Sequence, residues 1–152
     1  MKSTILAIII VCEMTLIACS QEIPAHKIPS VVSNTLHVKF PGAEKIEWEK
    51  KNKFYEAEFF IGRKEHTAYL DASGRMMLYK IDIPIPELPE SVVKTISENY
   101  KDFEIDDAEK IEHNNQVFYE TELDSKTKSS IKLIFSNEGK ILPGDYFINL
   151  TK

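Results

Sequence analysis

The chain has 152 residues, 43% hydrophobic and 28% charged, with 24 acidic against 19 basic side chains and a formal net charge of −5. That length suits one domain of ordinary size. A mildly acidic balance without clustered Lys and Arg excludes a nucleic-acid partner held through phosphate contacts.

Lys2 gives a positive start, and Thr4 to Ala18 form a mostly apolar run of roughly fifteen residues, the plan of a secretory signal peptide. A spanning helix needs roughly twenty apolar residues, and here Ser20-Gln21-Glu22 turns polar at once. Leu16-Ile17-Ala18-Cys19 resembles the lipobox of bacterial lipoproteins, where the peptide is cut before a cysteine that then carries lipid. Cys12 does not fit that role, because the branched Val11 precedes it; Glu13 departs from the usual pattern by putting a charge in the apolar run. The expectation is a signal peptide over 1–18, cleavage after Ala18, lipid attachment at Cys19 and a flexible lipidated tether over 19–28. Each buried methylene adds about 0.8 kcal/mol, so the two or three acyl chains implied by the resemblance anchor a protein firmly. The expected location is the cell envelope, lipid-anchored at the outer membrane on its periplasmic side or at the surface. Removing 18 residues from 152 leaves 134. With Cys12 gone and Cys19 acylated, the folded part has no disulfide and depends on its own core.

The chain then reads as two units of one plan. Pro29-Ser30-Val31-Val32 is echoed by Pro89-Glu90-Ser91-Val92-Val93, Ala43-Glu44-Lys45-Ile46-Glu47 by Ala108-Glu109-Lys110-Ile111-Glu112, and Phe54-Tyr55-Glu56-Ala57-Glu58 by Phe118-Tyr119-Glu120-Thr121-Glu122. Pro29 opens a helix whose apolar positions run Val31, Val32, Thr35, Leu36, Val38 and Phe40, stopped by Pro41-Gly42. Strands follow over 45–50, 54–61, 66–71 and 75–81, with turns at Lys51-Asn52-Lys53 and Ala72-Ser73-Gly74. Pro84, Pro86 and Pro89 predict an extended, semi-rigid joint over 84–89. The second helix carries Val92, Val93, Ile96, Tyr100 and Phe103; strands follow over 110–113, 117–123, 130–136 and 140–142, with an edge strand over 145–150. The units are 29–83 and 90–152, and the fold class is α+β: a tandem duplication giving one continuous antiparallel sheet with helices on one face.

A helix followed by antiparallel strands, twice, behind a lipobox, with Phe54-Tyr55-Glu56 and the hairpins at Asp71 and Asn137, resembles the PepSY-like lipoproteins of Bacteroidetes-type bacteria. These are also described as similar in fold to the β-lactamase-inhibitor protein. The resemblance brings no catalytic residue, and it implies a polypeptide partner, with an enzyme to be inhibited as one candidate. The inhibitor protein's disulfides have no counterpart here.

Period-two alternation divides the strands into faces. Tyr55, Ala57, Phe59 and Ile61, with Tyr119, Thr121 and Leu123, carry no charge and are assigned to the helix side. Phe54, Glu56, Glu58, Phe60, Phe118, Glu120 and Glu122 fall on the open side, joined by Tyr69. Rings beside carboxylates suit a polypeptide-binding face, the rings giving area and the charges selecting a basic partner. Glu56 and Glu58 stand roughly 7 Å apart along the strand, a separation usable in glycoside hydrolysis, but no sugar-lined cleft accompanies them. His26, His37, His66 and His113 lack the short spacing of metal ligands and read as surface or boundary positions. Asp102, Glu104, Asp106 and Asp107 alternate like a calcium loop without its glycine. No nucleophile motif or phosphate loop occurs. The expectation is a non-enzymatic envelope binding module without cofactor or metal, the alternatives being a small-ligand or calcium sensor and a structural spacer.

Overall fold

A computed structural model of the chain describes residues 22–147; the expected signal peptide and Cys19 lie outside the described residues. Helix α1 (Ser30–Lys39) leads into β1 (Glu44–Lys51), β2 (Phe54–Ile61), β3 (Lys64–Asp71) and β4 (Met76–Asp82). Helix α2 (Glu90–Asn99) leads into β5 (Glu104–His113), β6 (Gln116–Asp124), β7 (Ile131–Ser136) and β8 (Ile141–Leu142). All eight strands form one antiparallel sheet in sequential order. Its continuity rests on β4 pairing with β5, from Leu78 opposite His113 to Asp82 opposite Glu109. The architecture is α+β.

Both helices lie on one face. Val32 and Leu36 of α1 are buried against Trp48, Ala57, Phe59, Ala68 and Leu70; Val92 and Ile96 of α2 cover Ala108, Tyr119, Leu123 and Phe135. The connections use the backbone states their residues favour. Asn114 and Asn115 both take positive φ (49° and 61°) between β5 and β6, the pair of left-handed residues that a two-residue hairpin turn needs.

The two halves share details beyond their element order. β1 and β5 each carry a bulge at the same place, between Glu44 and Glu47 and between Ile105 and Asp107. The Ile23 N–H donates to the Trp48 carbonyl at 2.7 Å, and the Ile83 N–H to the Ala108 carbonyl at 2.9 Å. A 3-10 turn follows each, at Ala25–Lys27 and Ile85–Glu87. Two sequence expectations are corrected here. The segment before α1 is docked rather than a free tether: Glu22 bridges to Glu49 at the edge of β1, and Ile28 is buried. The segment 84–89 is a 3-10 turn with Leu88 in the second core, not an extended spacer. Ile23-Pro24 to Ile28-Pro29 and Ile83-Pro84 to Leu88-Pro89 are the same leading motif, 60 residues apart.

The register also separates true from false correspondence. Trp48 stands opposite Ala57, and Ala108 opposite Thr121. Trp48 and Ala108 are therefore equivalent, and the recurring Ala-Glu-Lys-Ile-Glu words at 43–47 and 108–112 are not. β5 begins six residues before the expected 110, and the calcium-like acids lie on it or just ahead of it. Residues 145–147 form a turn rather than the expected edge strand.

Each helix is locked to a hairpin through a glycine. Gly74 and Gly139 have φ of +82° and +78°, and a Cβ on Gly139 would stand 2.4 Å from the Ser91 carbonyl oxygen. Ser91 and Thr95 of α2 donate hydroxyl hydrogen bonds to the Asn137 and Gly139 carbonyls, each at 2.9 Å. Gly139→Ala combines left-handed strain with a backbone clash and is expected to cost about 3 kcal/mol. Urea unfolding checks this; a loss below about 1 kcal/mol would show that the helix yields instead.

Candidate functional site

The alternation places all eight predicted face residues, Phe54, Glu56, Glu58, Phe60, Tyr69, Phe118, Glu120 and Glu122, on the face without helices. The expectation that this face is open is corrected at Tyr69, Phe118 and Glu56, which are buried. Tyr69, Leu78, Ile111, Phe118, Ile134 and Phe147 form a third apolar cluster on it, all buried. The chain turns back after β8, and the Phe147 ring meets Phe118 edge-on at 5.3 Å and His113 at 5.6 Å. Tyr146 stands beside Phe147, 4.9 Å from it and 5.5 Å from Phe118. Phe118 is therefore part of a small core.

Glu56 is no more available than Phe118, being 5% exposed. The Tyr69 hydroxyl donates to its Oε1 at 2.5 Å, and the Lys51 ammonium stands 3.1 Å from Oε2. Burial and the adjoining Glu56 charge push the Tyr69 hydroxyl well above its ordinary value, so it remains a donor. In the second half Lys80 bridges Glu109 at 2.8 Å and Glu120 at 3.2 Å. Burial opposes the charge on Lys80, yet the two carboxylates hold it above the usual lysine range. Lys132 stands 3.3 Å from Glu122.

The remainder of the face is acidic and accessible. Glu47, Glu58, Glu65 and Asp107 are exposed, and Asp82 is half-buried beside them. The pairings Glu47–Glu58 and Asp107–Glu122 set like charges directly opposite each other, an arrangement that destabilises a sheet. Desolvation, then Glu56, Glu65 and Glu49, raise the Glu58 carboxyl above its ordinary value. Desolvation, then Asp107, Glu109 and Glu65, push Asp82 up to about 6. The acids repelling Asp82 come from both halves of the chain, making one continuous band. Sequence reading identified Glu58 and Glu122 in it but missed Glu47, Glu65, Asp82 and Asp107; extending the alternation to β1, β3, β4 and β5 would have found them.

The calcium-like acids do not converge. Asp102 binds Lys128 at 2.7 Å, and Glu104 and Asp107 pair with Asp124 and Glu122 along a strand. Among the described residues no three His, Cys, Asp or Glu side chains are grouped to hold a metal ion. His66, expected near the surface, is buried between Phe59 and Tyr79, its Nδ1 2.6 Å from the Tyr79 hydroxyl. Burial, aided by Lys64, depresses its pKa.

The family described as "Putative beta-lactamase-inhibitor-like, PepSY-like" matches residues 15–77 and again 62–143. The chain belongs to this PepSY-like family. Three solved structures from Bacteroides share the PepSY-like fold. A DUF2874 family protein of Bacteroides uniformis is 17% identical, with a TM-score of 0.69 over 76% of this chain and 86% of its own. One of the "putative periplasmic proteins" of Bacteroides eggerthii is 16% identical, at 0.70 over the same shares. A BLIP-like protein of Bacteroides fragilis is 23% identical, at 0.62 over 74% and 82%. No curated protein matches the chain. Among the described residues no helix of this PepSY-like protein is long and apolar enough to cross a membrane.

Asp82 gives the acidic band a pH signature. Its folded pKa of about 6 lies above the unfolded value of 3.8, so between them the folded state holds a proton that the unfolded state lacks. Its penalty is therefore relieved as pH falls through about 6. Asp82→Asn is expected to raise the melting temperature by about 2 °C near neutral pH, a figure kept small by solvent screening, and by nothing near pH 4. An equal shift at both pH values would mean that the band does not repel Asp82.

Proposed function

We propose that this PepSY-like chain is a lipid-anchored, non-enzymatic module of the bacterial cell envelope that binds a cationic stretch of a partner polypeptide. The binding surface is the acidic half of the helix-free face. The observation that carries this reading is the excess of carboxylates over cations there. Lys51, Lys80 and Lys132 each lie within 4 Å of two acids, while Glu47, Glu58, Glu65 and Asp107 stay exposed, Glu47 opposite Glu58, with Glu65 repelling Glu58 and both Glu65 and Asp107 repelling Asp82. A cationic segment removes that repulsion on docking, which favours association and steers it. The inhibitor-like description of the family and the BLIP-like neighbour support a protein partner, with an envelope enzyme as one class of target. The two family matches and the shared register support an origin by tandem duplication.

The eight-residue face expected from the sequence narrows accordingly: Phe118, Tyr69 and Glu56 serve the fold, and the contacts fall to the exposed acids. The full-length protein in detergent, with and without the triple change Glu58→Lys, Glu65→Lys and Asp107→Lys, is used as bait against solubilised envelope. The expected result is a basic partner held by the wild type, released as salt rises and lost with the variant. Equal capture by both, or salt-independent capture, overturns the acidic-face reading.

Anchoring is tested separately. With Cys19→Ser the chain is expected to lose incorporated radiolabelled palmitate and to leave the membrane fraction. Retention of both label and membrane association would refute Cys19 as the lipid site.

A further inference from the structure

The two halves differ in how their third strands are covered. β3 is paired along its outer side by β4: Tyr69 with Leu78, Ala68 with Tyr79, Thr67 with Lys80 and His66 with Ile81. The shared register makes β7 its counterpart, because Phe59 faces His66 as Leu123 faces Ile131, and Tyr55 faces Leu70 as Tyr119 faces Phe135. Yet β8 covers only Ile134 and Phe135, through Leu142 and Ile141. Pro143 follows at once, and the chain turns away to place Phe147 over the helix-free face. Among the described residues nothing pairs with the outer side of Ile131, Lys132 and Leu133.

The direction of the unpaired groups follows from the hairpin. The Ser136 N–H donates to the Lys140 carbonyl, so the backbone of Ser136 faces the β8 side. Residues two apart in an antiparallel strand face the same side; Ile134 and Lys132 therefore do so too. The Lys132 N–H and C=O, equivalent to the Thr67 groups that meet β4, lie at the bare edge. The side chains on either side are prepared for a neighbour: Ile131 and Leu133 belong to the α2 core but remain partly exposed. In the first half the strand in that place supplies Tyr79, stacked on Phe40 at 5.0 Å, and Ile81. Phe40 caps α1 as Tyr100 caps α2.

We propose that the bare edge of β7 at Ile131–Leu133 accepts an extended strand from a partner polypeptide, carrying apolar side chains at two alternate positions. The first half of the molecule is the template: its own Tyr79-Lys80-Ile81 shows what completes this edge. Strand addition of this kind takes affinity from main-chain hydrogen bonds and selectivity from alternate side chains. The site adjoins the acidic band through the Lys132 ammonium, 3.3 Å from Glu122, but it binds through main-chain groups of β7, so either can fail without the other.

The probe is a synthetic peptide of residues 78–83, blocked at both ends and fluorescently labelled, titrated into the full-length protein in detergent. Lys132→Pro removes the outward N–H and leaves the bonds to β6 intact, since proline is tolerated on an edge where its N–H side faces outward. Lys132→Ala changes the side chain and keeps the amide. The expected result is binding by wild type and Lys132→Ala, with a loss of about tenfold or more for Lys132→Pro. Unchanged melting of all three shows that the fold survives. Amide exchange gives an independent readout: the Lys132 amide exchanges quickly alone and slows with peptide. Three results overturn the proposal: no peptide binding to any form, equal binding to Lys132→Pro, or a Lys132 amide already protected in the free monomer. Protection that appears only as protein concentration rises assigns the edge to a second copy of the chain, and overturns the partner strand.

Discussion

A sheet has two faces and this chain has helices for one. Side chains alternate along every strand, so burying Ala57, Phe59, Tyr119 and Leu123 under α1 and α2 obliges Glu56, Glu58, Phe118 and Glu120 to point the other way. The remaining character of the molecule follows from how that second face is kept in water. One half is closed by the chain's own end, with Phe147 over Phe118 and Ile111. The other half is left to charge. That division concentrates apolar burial over the upper part of the face and leaves its carboxylates where solvent still screens them.

The buried carboxylate shows which effect wins where the two halves meet. Removing Glu56 from water costs several kcal/mol unless partners replace the lost hydration. Tyr69 and Lys51 supply a hydroxyl and an ammonium, and the same chemistry recurs when Lys80 joins Glu109 to Glu120. These arrangements specify register more than they stabilise, because slipping β2 by one residue would drive Glu56 under α1. Of the acids beyond them Glu122 has Lys132 at 3.3 Å, and Glu47, Glu58, Glu65 and Asp107 are exposed. A sheet selected for stability alone would not set Glu47 against Glu58 and Asp107 against Glu122, and that local cost is the physical argument for a function at this place.

Much of the fold was legible because its signals are local. β2 reads correctly from Phe54 to Ile61, since its alternation is clean and Gly62 ends it with a positive φ. β5 read short because Glu104, Asp106 and Asp107 resemble part of a calcium loop in the sequence, whereas all three lie on the strand. Repeated words misled where repeated burial did not: Ala43 to Glu47 matches Ala108 to Glu112 in letters, but pairing makes Trp48 the equal of Ala108. The candidate face was found as a set of residues, and its accessibility was not. Nothing local to Phe118 announces that Phe147, 29 residues later, will cover it.

The same long-range closure explains why the halves cannot be equivalent in use. In the first half the last strand is long and its edge is consumed by β5, so α1 and its sheet are complete. In the second the corresponding strand is two residues long, and the chain leaves β7 at Pro143 and enters a turn. What would have extended β8 instead crosses to the helix-free face and buries an aromatic ring. Among the described residues, that stretch of chain thus closes the face and leaves the edge of Ile131 to Leu133 unpaired. An edge strand with half-buried Ile131 and Leu133 is ordinarily guarded against unwanted pairing by charge or by shortness. Among the described residues the guard here is Lys132, and its ammonium is drawn toward Glu122 and Glu120 rather than standing out from the edge. The geometry that spares the acidic band from full burial is therefore also what leaves the sheet able to grow.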